Sequence, residues 1–239
     1  KGIDSVNGTD HVESVTIAGE TIPTDIVVMA VGVRAFSALG EEAGLETDKG
    51  ALQVDERMET SVKDVYAIGD CAQSFSGVDG KPSYVALATT AFKQAAVAGV
   101  NAAGGDVVFG GNLGTFVSFI GSLEISSTGY NSVAAERNGF KVVTGRANMV
   151  IKPVWMPGAK DVSVKLVVDA GTGRILGGQA IGEEGAAWRM NVVALAIKQR
   201  MTIREFSTIE LAYCPAVSEV YDPLLVAADI AIRRLSRAR

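Results

Sequence analysis

Histidine is almost missing from this chain. His11 is the only one in 239 residues, and it lies in a polar stretch beside Asp10 and Glu13, where it reads as a solvated loop residue. That leaves no material for a Ser-His-Asp triad or a multi-histidine metal site, and no metal is expected. Cysteine is nearly as scarce. Cys71 and Cys214 stand far apart and form no CxxC pair, which argues against a zinc site or a disulfide framework and reads as cytoplasmic usage. Charge of one sign is also lacking in excess: the net charge is -5, with acids and bases interspersed, so no nucleic-acid footprint appears. The longest uncharged run, Val107 to Leu123, is broken by four glycines and an asparagine. A membrane span needs roughly 20 mostly apolar residues, so none is expected here. No basic-then-apolar leader opens the chain. It starts at Lys1 inside a strand-turn-strand pattern, which reads as a fragment, a processed chain or a trimmed one.

What is present is ample apolar material, 48% of residues, enough for one large domain or two ordinary ones. Alternation at Val12, Val15 and Ile17 predicts a strand before a Gly-Glu turn, and Asp25 to Ala30 reads as a buried run ending at Gly32. Val65 to Ile68 reads as a fully buried strand of the parallel-sheet kind. "PSYVALATTAFKQAAVAGVNAAGG" predicts a helix with Pro82 and Ser83 at its start and Gly104-Gly105 past its end. Beyond a glycine-rich joint the pattern becomes α+β. Strands are expected at Phe116–Tyr130, Phe140–Ile151, Val162–Asp169 and Arg174–Gly182, with a short helix at Ser132–Asn138. Val162, Val164, Leu166 and Val168 alternate toward "DAGTG", the signature of a hairpin. Two apolar helices follow, Ala186–Met201 and one opened by Asp222 as N-cap and Pro223 as first residue. Their apolar character calls for burial, which suggests a second chain.

Two glycine motifs compete as ligand loops. "AGTGRILGG" offers Gly171, Gly173 and Gly177, but strand pattern continues on its far side, whereas a dinucleotide loop must open a helix. It is read as the hairpin turn. "DVYAIGDCA", Asp64 to Ala72, ends a strand at Gly-Asp with a helical pattern soon after. Gly69 removes a side chain where a ligand would approach, and Asp70 offers a carboxylate to hydroxyl donors. Ligands of α/β sheets gather beyond the carboxyl ends of strands, and a helix start can aim free amides at an electron-rich group. On these residues alone, a plain strand-ending turn is the better reading of the pattern.

The order of pieces resembles the FAD-dependent pyridine nucleotide–disulfide oxidoreductases. "TDIVVMAVGVR" is similar to the segment returning from the NAD domain to the FAD domain, "METSVKDVYAIGDCA" to the second FAD motif, and the residues after Gly110 to the dimerisation domain. The resemblance implies an α/β FAD-domain portion carrying the last strands of an NAD domain, followed by an α+β dimerisation domain with an antiparallel sheet. The expected boundaries are 1–33, 34–106 and 107–239. It implies that Asp70 holds a flavin ribityl hydroxyl, that Gly69 permits its approach, and that backbone amides near Leu87 and Ala88 face the flavin pyrimidine edge. Cys71 is read as a small buried residue.

"LAYCPAVSEVYDPLL" narrows the branch. Glutathione reductase-like and lipoamide dehydrogenase-like members carry a histidine before this proline, where Cys214 stands here. Tyr213 instead resembles the coenzyme A-disulfide reductase, NADH oxidase and NADH peroxidase branch. There the segment reaches the partner subunit's flavin, so Tyr213, Cys214 and Pro215 become candidate neighbours of it. Tyr213 is the candidate acid or hydrogen-bond donor; the other reading is an interface aromatic with a bonded hydroxyl. Arg34-Ala35-Phe36 and Trp155-Met156 depart from the family pattern, and both of the family's GxGxxG loops and its redox cysteine belong to an N-terminal part not in this sequence. The implied activity is NAD(P)H oxidation through FAD, a homodimeric assembly, and coenzyme A disulfide, a persulfide or oxygen as acceptor. The rivals are a non-catalytic dimerisation module and a ferredoxin- or rubredoxin-reductase-type flavoprotein.

Overall fold

A computed structural model describes residues 2–237. The chain falls into two compact units, 1–34 and 35–239.

The first unit is an antiparallel meander of β1 (Ser5–Asn7), β2 (Ser14–Ile17) and β3 (Glu20–Pro23), with β2 in the centre. Ala18 and Gly19 both take positive φ, the geometry a two-residue turn between twisted strands requires. The expected buried run from Asp25 to Ala30 is not a strand: Ile26 and Val28 are 78% and 80% exposed. A strand buried on both faces needs neighbours to pair with and layers to cover it, and no described residue pairs with this run.

The second unit opens with α1 (Ala38–Glu42) and two short paired strands, β4 (Thr47–Asp48) and β5 (Ala51–Leu52). Val65 to Ile68 does not make the expected buried strand. Only Tyr66 bridges, to Glu59, and Val65 is exposed while Ala67 is buried. The chain then turns through a single 3-10 turn, Gly69–Cys71. A second short pair, β6 (Ser74–Phe75) and β7 (Pro82–Ser83), precedes α2 (Ala88–Ala102). The helix therefore begins six residues later than Pro82 suggests, because Pro82 and Ser83 are spent on pairing with β6. Leu52, Val54, Met58, Ala67, Ala72, Ala98 and Phe109 form the core beneath α2, with Cys71 half-buried against it rather than fully enclosed.

The remainder is one antiparallel sheet. The expected strand Phe116–Tyr130 is two, β8 (Phe116–Ile120) and β9 (Leu123–Gly129), folded at Gly121, whose φ of 61° suits a tight turn. After α3 (Ser132–Arg137) come β10 (Val142–Val150), β11 (Asp161–Asp169) and β12 (Ile175–Gly182), then α4 (Ala186–Lys198), α5 (Ile203–Phe206) and α6 (Pro223–Arg237). The sheet order is β10-β11-β12-β9-β8, and the β11–β12 hairpin is where the alternation predicts it. Val162, Val164, Leu166 and Val168 all face the two long helices: α6 lies on β10 and β11, and α4 on β12 and β9. Burying each such side chain contributes about 1.5–3 kcal/mol, so this layer dominates the stability of the unit. Gly145 lets α6 approach, since a Cβ there would overlap the Ala227 carbonyl oxygen.

The apolar face of α6 is thus covered by its own sheet, with Leu224, Leu225, Ala227, Ala228, Ala231 and Leu235 all buried. On α4 only Trp188 and Leu195 remain as exposed large apolar residues. A deep ion pair joins the two helices: Arg189 donates to both carboxylate oxygens of Asp222, at 3.1 and 2.8 Å, and both residues are at most 2% exposed. Asp222 also caps α6 as expected, accepting the Leu224 N–H at 2.8 Å.

Candidate functional site

The Gly-Asp turn is built from the backbone outward. Ile68 is extended; Gly69 then takes a φ of 71°, a conformation L side chains rarely adopt, and reverses the chain. The Ala72 N–H closes the turn on the Gly69 carbonyl at 3.1 Å, and the Cys71 thiol donates to the Ile68 carbonyl at 3.3 Å. The result lifts Asp70 out of the core. Asp70 is exposed, and none of the hydrogen bonds among the described residues engages its carboxylate.

Helix α2 packs behind this turn with an unusual inner face. Its buried residues are Thr90, Gln94, Ala98 and Asn101, while Phe92 and Val100 point outward. Gln94 Oε1 accepts the Gly69 N–H at 2.8 Å, and Asn101 binds the Arg57 and Val107 carbonyls at 3.0 and 2.9 Å. Tyr84, on the stretch leading to α2, donates its hydroxyl to the Asp70 carbonyl at 2.8 Å. Partial burial, then the Asp70 charge and Cys71, hold the Tyr84 pKa above the ordinary tyrosine value.

Leu87 is the N-cap of α2 and makes no side-chain cap; its carbonyl takes the Thr90 and Ala91 N–H groups. The first two N–H groups, of Ala88 and Thr89, have no intrahelical acceptor and carry the positive end of a four-turn helix dipole. Leu87, Ala88 and Thr89 line a cleft of about 580 Å³ closed by Thr115, Phe116 and Asn191. These residues suit a ligand bearing hydroxyl donors on one side and carbonyl acceptors on another: a free carboxylate, a glycine turn without a Cβ, and open amides at a helix start.

The tyrosine segment lies elsewhere in the chain, between α5 and α6. Tyr213 is 48% exposed, Cys214 is exposed and Pro215 half-buried. The loop is pinned by the Cys214 carbonyl, which accepts the Val217 and Ser218 N–H groups, and by the Ser218 hydroxyl, which donates to the Ala212 carbonyl at 3.0 Å. Among the described residues no hydrogen bond joins this loop to the Asp70 turn or to the start of α2. The structure therefore brings Gly69 and Asp70 to one side of α2 and Leu87 and Ala88 to its N-terminus, and among the described residues ties Tyr213, Cys214 and Pro215 to neither by a hydrogen bond. Gln94 and Tyr84 escape a reading of the sequence. The one signal for Gln94 is an amide set among alanines in a helix.

Trp155, at the position that departs from the family pattern, is exposed. Among the described residues no group of three or more His, Cys, Asp or Glu side chains could hold a metal ion, and no helix is long and apolar enough to cross a membrane.

Comparison with known proteins gives these features a setting. Residues 1–95 match the family model described as pyridine nucleotide-disulphide oxidoreductase, and residues 116–224 match the dimerisation domain of the same family. An NADH oxidase of Methanocaldococcus jannaschii is 34% identical over 236 residues, covering 99% of this chain and 52% of that protein. An NAD(P)H sulfur oxidoreductase (CoA-dependent) of Pyrococcus furiosus is 35% identical over 227 residues, covering 95% of this chain and 51% of that protein. The solved NAD-dependent persulfide reductase of A. fulgidus superposes with a TM-score of 0.90 at 33% identity, covering 98% of this chain and 44% of that one. The chain spans about half the length of the curated relatives it matches. With both matched segments in order and the glycine-aspartate turn inside the first, the chain belongs to the pyridine nucleotide–disulfide oxidoreductases, a family of enzymes.

Proposed function

We propose that this chain is the C-terminal portion of an FAD-dependent NAD(P)H oxidoreductase whose acceptor is a coenzyme A-linked disulfide or a persulfide. The observation that carries the reading is the exposed, unengaged Asp70 carboxylate on a positive-φ glycine turn, held against a helix whose N-terminus is uncapped. FAD, when bound, supplies a two-electron carrier between the nicotinamide and the acceptor. Overall, NAD(P)H and a proton reduce the disulfide to two thiols. In that scheme Asp70 accepts a ribityl hydroxyl, Gly69 leaves room beside it, and the amides at Leu87 and Ala88 offer donors to the pyrimidine edge. Those donors favour the negative charge that reduction develops there.

Tyr213 belongs to the same reading through a two-fold homodimer, in which the segment bearing Tyr213, Cys214 and Pro215 lies near the partner's flavin. Its phenol holds a proton that it can give to a departing thiolate, a role for which the chain offers no histidine. The expected domain boundaries, 1–33, 34–106 and 107–239, are part of the proposal. The names of the sulfur oxidoreductase and the persulfide reductase, at 35% and 33% identity, favour a sulfur acceptor, with oxygen the alternative suggested by the NADH oxidase at 34%. The match to the dimerisation domain favours this scheme over a ferredoxin-reductase-type flavoprotein.

The test is Tyr213→Phe in the full-length protein carrying this chain. Turnover with a coenzyme A disulfide or persulfide should fall roughly ten- to a thousandfold, the lower part of the range for general acid–base catalysis, with flavin content unchanged. Unchanged turnover would make Tyr213 an interface aromatic and remove the catalytic assignment.

A further inference from the structure

Gln94 is an expensive residue for its position. It is 1% exposed, on the inner face of α2, and its Nε2 has no hydrogen-bond partner. A buried amide nitrogen left unpaired is costly, a cost that an apolar side chain of similar volume would not carry. Its other arm makes a single bond, Oε1 to the Gly69 N–H at 2.8 Å. That N–H points to the helix side of the positive-φ turn and would otherwise be orphaned. On the opposite side the Tyr84 hydroxyl holds the Asp70 carbonyl. Two side chains thus fix the backbone on either side of Asp70's Cα and leave its carboxylate free.

We infer that Gln94 and Tyr84 are positioning residues that clamp the Gly69–Asp70 turn, so that the Asp70 carboxylate is preorganised for the hydroxyl groups of the flavin's ribityl chain. The inference rests on the flavin reading of Asp70 proposed above. Neither side chain need touch the ligand. They act by denying the turn its alternative conformations, so that binding does not have to order it. A core-filling role predicts a different pattern. Replacing Gln94 by methionine removes one unpaired donor from the interior and leaves another, the Gly69 N–H, so the two effects on folding offset while ligand binding suffers.

The experiment compares Gln94→Met, Tyr84→Phe, their double variant and Asp70→Ala in the full-length protein. FAD affinity is read by titration of the apoprotein, together with apoprotein melting temperature and hydrogen exchange of the peptide spanning 64–72. Gln94→Met should weaken FAD binding about tenfold, one hydrogen bond's worth near the top of its range, with the melting temperature little changed and exchange in 64–72 faster. Tyr84→Phe should weaken binding roughly three- to tenfold, and the double variant by less than the product of the two, because both act on one turn. If Asp70→Ala weakens binding while Gln94→Met and Tyr84→Phe do not, the clamp is wrong and the Asp70 reading stands. A parallel loss of melting temperature and affinity in Gln94→Met would mark it as a structural residue and overturn the inference. If Asp70→Ala binds FAD as the wild type does, the site reading itself fails and the clamp with it.

Discussion

Removing the Asp222 carboxylate should strongly destabilise the sheet-and-helix layer, and its cost can be assembled from the geometry. In Asp222→Ala, Arg189 loses both of its bonds to the carboxylate but keeps the Gly185 carbonyl at 2.8 Å and the Trp188 ring, 4.5 Å away. Breaking one side of a buried pair costs about 3–5 kcal/mol, and the surviving partners of Arg189 place this case near the low end. The lost cap on Leu224 adds about 1 kcal/mol. The expected total is therefore about 4 kcal/mol, or roughly 8–16 °C in melting temperature for a unit of this size. Urea unfolding, followed by circular dichroism and by tryptophan fluorescence, reads it; Trp188 reports directly on the pair. Asp222→Asn retains an oxygen for the cap, so it should lose about 1 kcal/mol less than the alanine variant. Arg189→Met with Asp222→Asn should be far more stable than the sum of the single losses predicts, since no charge is left buried. A loss under about 1 kcal/mol for Asp222→Ala, or additive behaviour of the double variant, would refute the claim that these charges depend on each other.

Other perturbations follow from particular contacts. Gly145→Ala should destabilise by about 1–3 kcal/mol or more, seen as a lower urea midpoint, because the new Cβ must displace the α6 backbone at Ala227. Burial, with the hydrogen bond and charge of Asp79, outweighs the lowering effect of Ser76 and raises the Tyr130 pKa above its ordinary 10.0. The unfolded chain therefore ionises first, so the stability this group contributes is complete below about pH 10 and is lost as pH climbs through the folded value. Urea midpoints of wild type and Tyr130→Phe should converge on that alkaline limb; parallel curves would exclude the residue as the cause. Equilibrium sedimentation at micromolar concentration should give a dimer mass, with a stable monomer contradicting the proposed two-fold assembly.

Where local chemistry decides the structure, the sequence was readable. The β11–β12 hairpin follows from strict alternation, and Asp222-Pro223 starts α6 because a carboxylate cap and a fixed φ do the same work in any context. Apolar runs are less informative, because they demand burial without naming what provides it. Asp25 to Ala30 and Val65 to Ile68 look alike as text, yet the first has no pairing partner among the described residues and the second is held by one bridge and a few core contacts. Helix α2 is only partly legible for a related reason. Its C-terminal end is marked by local residues, but its buried face carries Thr90, Gln94 and Asn101, and the last two serve loops beneath it that present N–H and C=O groups in need of partners.

The same logic separates the legible part of the candidate site from the rest. Gly69 and Asp70 stand next to each other, and a positive-φ glycine before a carboxylate is a local feature. Their supports are not local: Gln94 is 25 residues away and Tyr84 is 14. The Tyr213 loop repeats this arrangement, with a free side chain on a backbone tied down by Ser218, which is buried at 4%. In both places the exposed group that would meet a ligand owes its position to a buried neighbour with one or two hydrogen bonds. Changes at such neighbours act on how much order a ligand must impose when it binds. They should therefore alter affinity more than the rate of bond-making, whereas changes at Tyr213 itself should do the reverse.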